Sequence, residues 1–190
     1  MQDPDLNLLI TAAKKAGELA KNYDFRKLKV SEKEGGAGPV TEADIEIDRM
    51  LFKYLTSARP DYGWLCEEST SDIPHYEKNC AFVIDPIDGT RDFIKGGNNW
   101  SHSFSVVKNG KVSAAVVYVP KQDLLFSAYL GGGSWLNGER LHIKALSNSG
   151  VIDLIAAKLV EDDKIWKANL KPKFNPKENL FKQGLDSLDV

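Results

Sequence analysis

The sequence has few of the residues that would place a protein outside the cell or in a membrane. Its only cysteines are Cys66 and Cys80, and their separation matches no metal-binding spacing. Such sparse cysteine is typical of reduced thiols in a cytoplasmic protein. No hydrophobic run is long enough to span a bilayer, and Met1 leads into a polar segment without the apolar core of a signal peptide. We therefore expect a cytoplasmic protein with no membrane partner.

An excess of charge of one sign is also missing. The formal net charge is −2, and the 25 basic and 27 acidic side chains are mixed along the chain. This balance gives no general attraction to the phosphates of DNA or RNA, so we expect no nucleic-acid partner. The length of 190 residues suits one domain or slightly more, and no internal repeat is visible.

Histidine is scarce, with three residues in the chain. His102 falls inside a predicted strand, and no serine, histidine and acid can be grouped into a catalytic constellation. The glycine-rich stretch at 131–133 lacks the lysine and Ser/Thr of a P-loop. We therefore assign no catalytic role to histidine and expect no nucleotide-binding loop of that type.

The most informative stretch is VIDPIDGT at residues 83–90. The apolar run Ala81–Ile84 is short and contains a β-branched pair, which predicts a buried strand that ends at Asp85. Asp88 follows three residues later, so one tight turn can bring two carboxylates together. Two such groups repel each other when ionised unless a cation lies between them. Hard oxygen ligands at a strand end favour Mg²⁺ and phosphate chemistry.

Taken alone, this stretch has a second interpretation. Pro86, Asp88 and Gly89 are also residues that turns favour for purely structural reasons. The two interpretations are about equally good until the rest of the chain is considered.

Two further motifs precede this turn: VTEAD at residues 40–44 and EES at residues 67–69. With DPIDGT at residues 85–90, they make the chain resemble the inositol monophosphatase family of Mg²⁺-dependent, lithium-sensitive phosphatases. The superfamily also contains bisphosphate nucleotidases and fructose bisphosphatases. The resemblance runs from the first helix to about Ala157. It departs mildly from the family at Cys66, where a smaller residue is usual.

The resemblance implies a metal site with two or three Mg²⁺ ions, which Mn²⁺ or Ca²⁺ can replace in a crystal. Glu67, Asp85 and the carbonyl of Ile87 would hold one ion, and Asp85 and Asp88 would hold a second. Adjacent acids such as Glu67 and Glu68 are otherwise typical of solvated surface, because side chains alternate along an extended chain.

The resemblance also implies catalytic and substrate-binding residues. Asp44 and Thr90 would orient the attacking water, and Glu67 counts as catalytic with them through the metal it holds. Asp44 also fits a capping pattern for the helix that follows Thr41. The N–H groups of Gly89 and Thr90 would bind phosphate. Lys33 is a weaker assignment to the phosphate site, and a solvated loop lysine is the simpler interpretation.

The expected fold class is α+β, with N-terminal helices packed on an antiparallel sheet. Spacing predicts one amphipathic helix from Leu6 to Ala20 and a second after Thr41, with an apolar side of Ile45, Ile47, Leu51 and Leu55. Lys29–Pro39 is predicted to be a mobile loop. Strands are predicted at 64–66, 81–84, 101–107, 112–119, 124–129, 134–136 and 141–143, with hairpin turns at Asn109-Gly110 and Asn137-Gly138. Phe104, Phe126 and Trp135 are expected in the core.

The family continues for a further α/β layer with a Trp-Asp motif, and no Trp-Asp pair occurs here. We therefore predict a metal-binding phosphatase domain at residues 1–150 and the start of a truncated α/β subdomain at 151–190, which makes the C-terminal layer incomplete. The expected activity is hydrolysis of a small phosphorylated substrate, with inositol monophosphate first and a 3′(2′),5′-bisphosphate nucleotide second. A catalytically impaired metal-binding or dimerising module is the remaining alternative. A homodimer is an expectation from the resemblance alone.

Overall fold

The computed structural model describes residues 3–33, 38–68 and 78–142 of the chain. The helices are α1 (Pro4–Lys21), α2 (Glu42–Ala58) and α3 (Thr90–Ile94). The strands are β1 (Val30–Glu32), β2 (Pro39–Thr41), β3 (Gly63–Cys66), β4 (Cys80–Asp88), β5 (Ser101–Lys108), β6 (Lys111–Val119), β7 (Leu124–Tyr129), β8 (Gly133–Leu136) and β9 (Glu139–Arg140). Within these residues, no helix is long and apolar enough to cross a membrane.

Helix α1 is amphipathic, as its spacing predicts. Asp3 caps its N-terminus, because its carboxylate accepts hydrogen bonds from the N–H groups of Asp5 and Leu6 at 2.9 and 3.0 Å. The helix buries a face rich in small residues: Leu6, Leu9, Ala12, Ala13, Ala16 and Ala20. The alanines let the helix lie close to the sheet beneath it.

Helix α2 begins directly after Thr41, also as predicted. Ile47, Leu51 and Leu55 are fully buried, whereas Ile45 is 39% exposed. The expectation that Ile45 belongs to the apolar side was therefore wrong. Residues two apart on a helix point to nearly opposite sides, so Ile45 and Ile47 cannot share a face.

The predicted loop at Lys29–Pro39 contains more structure than expected. Strands β1 and β2 pair antiparallel, with Val30 opposite Thr41 and Glu32 opposite Pro39. The N–H of Lys33 then donates to the carbonyl of Gly38 at 2.8 Å. This small hairpin brings the chain back toward the start of α2 and fixes the position of Lys33.

The main sheet has seven strands in the order β3-β4-β5-β6-β7-β8-β9. Each pair from β4 onward is antiparallel, and the predicted hairpin at Asn109-Gly110 is confirmed, with φ angles of 51° and 76°. The last strand starts at Glu139 rather than Leu141, because pairing resumes at once after the two-residue turn, with Leu136 opposite Glu139.

One pair departs from the antiparallel expectation. Strand β3 runs parallel to β4, with Cys66 opposite Ile84. A two-residue hairpin cannot join parallel strands, and β3 ends at Cys66 whereas β4 starts at Cys80. The carboxyl ends of β3 and β4 therefore meet at the same edge of the sheet.

Helices α1 and α2 cover one face of this sheet, and the core lies between the helices and the sheet. Phe104 is 1% exposed, as predicted, and Trp135 is partly buried against the core. Phe126 is 38% exposed, so its assignment to the core was wrong. Its neighbours Leu125 and Ser127 point to the buried face, and alternation along β7 directs Phe126 to the other face. The predicted subdomain at 151–190 lies outside the described residues.

Candidate functional site

Asp85 and Asp88 flank a bulge in β4. They are three residues apart, but their partners in β5, Ser103 and Ser101, are only two apart. Two residues of β4 therefore share one opposite residue, and Pro86, which has no N–H for the ladder, is one of the two. A bulge bends its strand and redirects side chains. Here it places an acid at each end of a short, sharply bent segment.

Gly89 continues this bend with a left-handed backbone, at φ +88°. A Cβ atom at this position would lie 2.8 Å from the carbonyl oxygen of Asn99, so the bend requires glycine both for its φ and for its space. The N–H of Phe93 donates to the carbonyl of Gly89 at 3.1 Å and starts α3. The sequence Asp-Gly-Thr thus turns the chain abruptly from strand to helix.

Glu67 reaches the same edge from β3. Its N–H donates to the carbonyl of Ile84 at 3.1 Å, which extends the parallel pairing one residue past the strand. Because Cys66 pairs with Ile84 in the parallel register, the next residues, Glu67 and Asp85, lie beside each other. The prediction that a strand end delivers Glu67 to this corner agrees with the structure.

Lys33 joins this corner from the β1–β2 hairpin. Its ammonium lies 2.6 Å from Oε1 of Glu67 and 2.7 Å from Oε1 of Glu68. The side chain is 16% exposed, so the interpretation as a solvated loop lysine was wrong. Burial opposes the charge of this ammonium, but the hydrogen bonds to Glu67 and Glu68 dominate and raise the pKa of Lys33. Lys33 therefore acts as the internal counter-ion of the acids.

These side chains line one open cavity of about 270 Å³. Every predicted site residue except Asp44 contributes to its wall, and Gly38, Pro39 and Arg91 are added. The lining residues are Lys33, Gly38, Pro39, Glu67, Asp85, Ile87, Asp88, Gly89, Thr90 and Arg91. The cavity combines a cluster of carboxylates with two basic side chains.

Two carboxyl groups at this corner, those of Asp85 and Glu68, hold their protons more tightly than usual. Burial, followed by the negative charges of Glu67 and Asp88, raises the pKa of Asp85 from 3.8 to about 7. Burial also raises the pKa of Glu68, whose side chain is 3% exposed. A divalent cation would remove this repulsion, since an adjacent positive charge favours the ionised form.

The donor set suits a hard divalent cation. The atoms are carboxylate oxygens and the carbonyl of Ile87, and Oδ1 of Asp85 is buried without a hydrogen-bond partner. In the part of the chain that the structure describes, no group of three or more His, Cys, Asp or Glu side chains is already gathered around one point as a metal site. Glu67, one of the predicted ligands, is paired with the ammonium of Lys33 at 2.6 Å.

Asp44 has a clear local role. Its Oδ2 accepts hydrogen bonds from the N–H and the hydroxyl of Thr41 at 2.8 and 2.5 Å, and the Thr41 hydroxyl caps α2 in return. The Thr90 hydroxyl donates to the carbonyl of Ile87 at 3.0 Å. Among the described residues no hydrogen bond joins Asp44 to Thr90, so their predicted pairing stays a prediction. Oδ1 of Asp44 is buried and unpartnered, and burial raises the pKa of this carboxyl.

Sequence reasoning missed Glu68 as part of the site. It assumed that adjacent acids alternate in direction, but β3 ends at Cys66 and the alternation ends with it. The position of Glu67 and Glu68 just past a strand end was the available clue. Arg91 was likewise not assigned to the site.

The family profile described as "Inositol monophosphatase family" matches residues 1–184. The chain is 37% identical over 149 residues to the inositol-1-monophosphatase of Rhizobium meliloti, which covers 76% of this chain and 55% of the relative. It is 35% identical over 139 residues to Nus factor SuhB of Escherichia coli, with coverages of 73% and 52%.

Among solved structures, the IMPase of Thermotoga maritima superposes with a TM-score of 0.69 at 32% identity, over 77% of this chain and 56% of that one. The described helices and mixed sheet therefore have the fold of the N-terminal half of such a protein. The chain spans about half the length of the curated relatives it matches.

Proposed function

This chain belongs to the inositol monophosphatase family, and from that premise we propose that it hydrolyses a small phosphate monoester with the aid of Mg²⁺. The observation that supports the proposal is the convergence of Glu67, Asp85 and Asp88 with Lys33 and Arg91 on one cavity. Acids that share a site in this way need a cation, and the basic side chains need an anion. A metal ion with a phosphate ester satisfies both.

Glu67, Asp85 and Asp88, with the carbonyl of Ile87, would hold the metal. When bound, Mg²⁺ would neutralise charge on the phosphate and lower the pKa of a water molecule near it. Glu67 must exchange its ion pair with Lys33 for this role. Lys33 then keeps Glu68 as a partner at 2.7 Å, so its ammonium stays beside the phosphate.

The remaining residues would bind phosphate and orient water. The N–H groups of Gly89 and Thr90, at the start of α3, would donate to phosphate oxygens. The Thr90 hydroxyl would orient the attacking water, and the carboxylate of Asp44 would accept its proton. Lys33 and Arg91 would attract the anionic ester to the cavity.

A bisphosphorylated nucleotide is the second candidate substrate. Arg91 supports it, because its guanidinium lines the same cavity as the carboxylates and approaches Gly38 on the other wall. A guanidinium can bind a second phosphate with paired hydrogen bonds. Inositol monophosphate remains the first candidate, in view of the similarity to an inositol-1-monophosphatase.

The test is phosphate release by the full chain from inositol 1-phosphate, 3′-phosphoadenosine 5′-phosphate and fructose 1,6-bisphosphate. We expect release with Mg²⁺, none with EDTA, and inhibition by lithium. Asp88→Asn should abolish release, whereas Asp61→Asn, a change at an exposed acid outside the cavity, should leave it intact. A chain that binds Mn²⁺ but releases no phosphate would contradict the proposal and identify the impaired module instead.

A further inference from the structure

His102 is the single residue of β5 that lies opposite the bulge in β4. Pro86 and Ile87 have no register partner there, because the pairing passes from Asp85–Ser103 to Asp88–Ser101. The Nδ1 of His102 lies within hydrogen-bonding distance of the carbonyl oxygen of Pro86. A carbonyl only accepts, so Nδ1 carries the hydrogen and donates it. The His102 side chain thus contributes a hydrogen bond at the place where the backbone pairing of β4 and β5 is interrupted.

The surroundings of His102 hold its ring in one orientation. The residue is 0% exposed. Its ring is stacked on Phe104 at an interplanar angle of 26° with centroids 5.9 Å apart, and meets Trp100 edge-on at 73° and 5.6 Å. Nε2 is buried and has no hydrogen-bond partner among the described residues, which a neutral ring with its hydrogen on Nδ1 tolerates best. Burial accordingly lowers the pKa of His102 to about 4.

Two successive peptide groups of the bulge are therefore each held by a side chain. His102 holds the carbonyl of Pro86, and the hydroxyl of Thr90 holds the carbonyl of Ile87 at 3.0 Å. These carbonyls lie between Asp85 and Asp88. The directions of both carboxylates depend on the orientation of these peptide planes, since each carboxylate is attached to a residue that borders them.

We propose that His102 is a positioning residue for metal binding: its Nδ1–H fixes the Pro86 carbonyl and thereby aims Asp85, Asp88 and the Ile87 carbonyl at a common ion. This inference rests on the metal requirement of the proposed function. His102 touches neither ion nor substrate, and it acts only through the backbone of the bulge. Outer partners of this kind strengthen metal binding because they hold the ligands in place before the ion arrives.

Two substitutions separate positioning from packing. His102→Phe keeps an aromatic ring for Phe104 and Trp100 but has no donor. His102→Asn loses the ring but keeps an N–H close to the position of Nδ1. A residue that only fills the core would tolerate Phe better than Asn in every measurement. For a positioning residue, the Phe variant should be the more stable of the two, whereas the Asn variant should bind the metal more tightly.

The measurements are the Kd of Mn²⁺ by calorimetry and the Tm of the metal-free chain. We expect His102→Phe to raise the Kd about tenfold or more, in line with the loss of an outer partner, with a Tm that falls less than that of His102→Asn. His102→Asn should lower the Tm but keep the Kd close to wild type. A Phe variant that binds Mn²⁺ as tightly as wild type, or an Asn variant that loses as much affinity as Phe, would overturn the inference.

The outcomes also separate this inference from the proposed function. A wild-type chain that binds Mn²⁺ without releasing phosphate contradicts the function, and the comparison of Kd values still decides the role of His102. A chain that releases phosphate while the Phe variant keeps its Kd contradicts only the role of His102. A wild-type chain that binds no Mn²⁺ contradicts both.

Discussion

The Nζ of Lys33 lies 2.6 Å from Oε1 of Glu67. The ammonium thus neutralises a carboxylate that the proposed metal would also need, and it lies 2.7 Å from the buried Glu68 as well. The acids of the cavity therefore have a positive partner before any ion binds. The stability of this corner without metal should depend on Lys33.

Lys33→Met tests this dependence. The substitution leaves Glu68, 3% exposed, without its cationic partner, so the metal-free chain should lose roughly 1–3 kcal/mol of unfolding free energy. Added Mg²⁺ should recover part of this loss, because the ion supplies the missing positive charge. Urea unfolding in EDTA and in MgCl₂ measures both effects.

Lys29→Met is the matched control for this change. Lys29 also pairs with an acid, Glu42, but at 3.7 Å and with its side chain 86% exposed. An exposed pair of this kind contributes little, so the control should stay near wild type with and without Mg²⁺. Equal losses in the two variants would show that Lys33 is not a special counter-ion.

The pKa of Asp85 predicts a pH dependence of the metal-free chain. Burial and the charges of Glu67 and Asp88 raise this pKa from 3.8 to about 7. Between these values the folded chain keeps a proton that the unfolded chain has released. The contribution of Asp85 to the free energy of unfolding is therefore complete below about pH 4 and is lost as the pH rises toward about 7.

Asp85→Asn should remove this loss of stability, because an amide does not titrate. Urea unfolding in EDTA at several pH values between about 4 and about 8 measures the slope. Asp61→Asn should keep the wild-type slope, since Asp61 is exposed and outside the cavity. An Asp85→Asn chain with the wild-type slope would contradict the assignment of the shift to Asp85.

The strand-and-turn chemistry explains why much of this site could be predicted. A short apolar strand followed by Asp-Pro-x-Asp-Gly-Thr is local information, and Gly89 adopts the left-handed backbone that such a turn needs. The helix start at Thr41 is equally local, because the cap and its partner Asp44 are three residues apart. Local hydrogen bonds of this kind are specified by adjacent residue types.

The contacts that could not be predicted join distant segments. Lys33 and Glu68 are 35 positions apart, and only the β1–β2 hairpin brings them together at 2.7 Å. His102 meets Pro86 because of a register shift in the β4–β5 ladder, which hydrophobic alternation does not reveal. The exposure of Phe126 could not be predicted either, since an aromatic residue in a predicted strand gives no information about which face of the sheet the helices cover.

Gly89→Ala should disrupt the turn between β4 and α3. The added Cβ would lie 2.8 Å from the carbonyl oxygen of Asn99, and the residue would need φ near +88°. Gly110→Ala is the matched control, because Gly110 also has a positive φ, +76°, but no atom within 4 Å of an added Cβ.

The control should lose roughly 1–2 kcal/mol of unfolding free energy, because a residue with a Cβ is less stable than glycine in a left-handed backbone. Gly89→Ala should lose more and should also weaken Mn²⁺ binding, because Asp88 precedes the distorted residue. Urea unfolding and calorimetry measure the two effects. Equal stability in the two variants would show that the space around Gly89 is not restrictive.

Arg91 provides the test of substrate class. Its guanidinium lines the cavity that contains the carboxylates, so a substrate with two phosphates could bind both the metal site and Arg91, whereas a monophosphate could bind only one of them. Arg91→Met should then lower kcat/KM for 3′-phosphoadenosine 5′-phosphate by roughly ten- to a hundredfold, which corresponds to the loss of one hydrogen bond to a charged group. The value for inositol 1-phosphate should change much less.

Lys95→Met supplies the comparison, since Lys95 is exposed at the end of α3 and does not line the cavity. It removes the same charge and should leave both substrates unaffected. An Arg91→Met chain that loses equal activity on both substrates would assign Arg91 to general attraction of the ester, because a contact to a second phosphate cannot affect a substrate that has only one. Selective loss on the bisphosphate would instead favour the nucleotide as the substrate class.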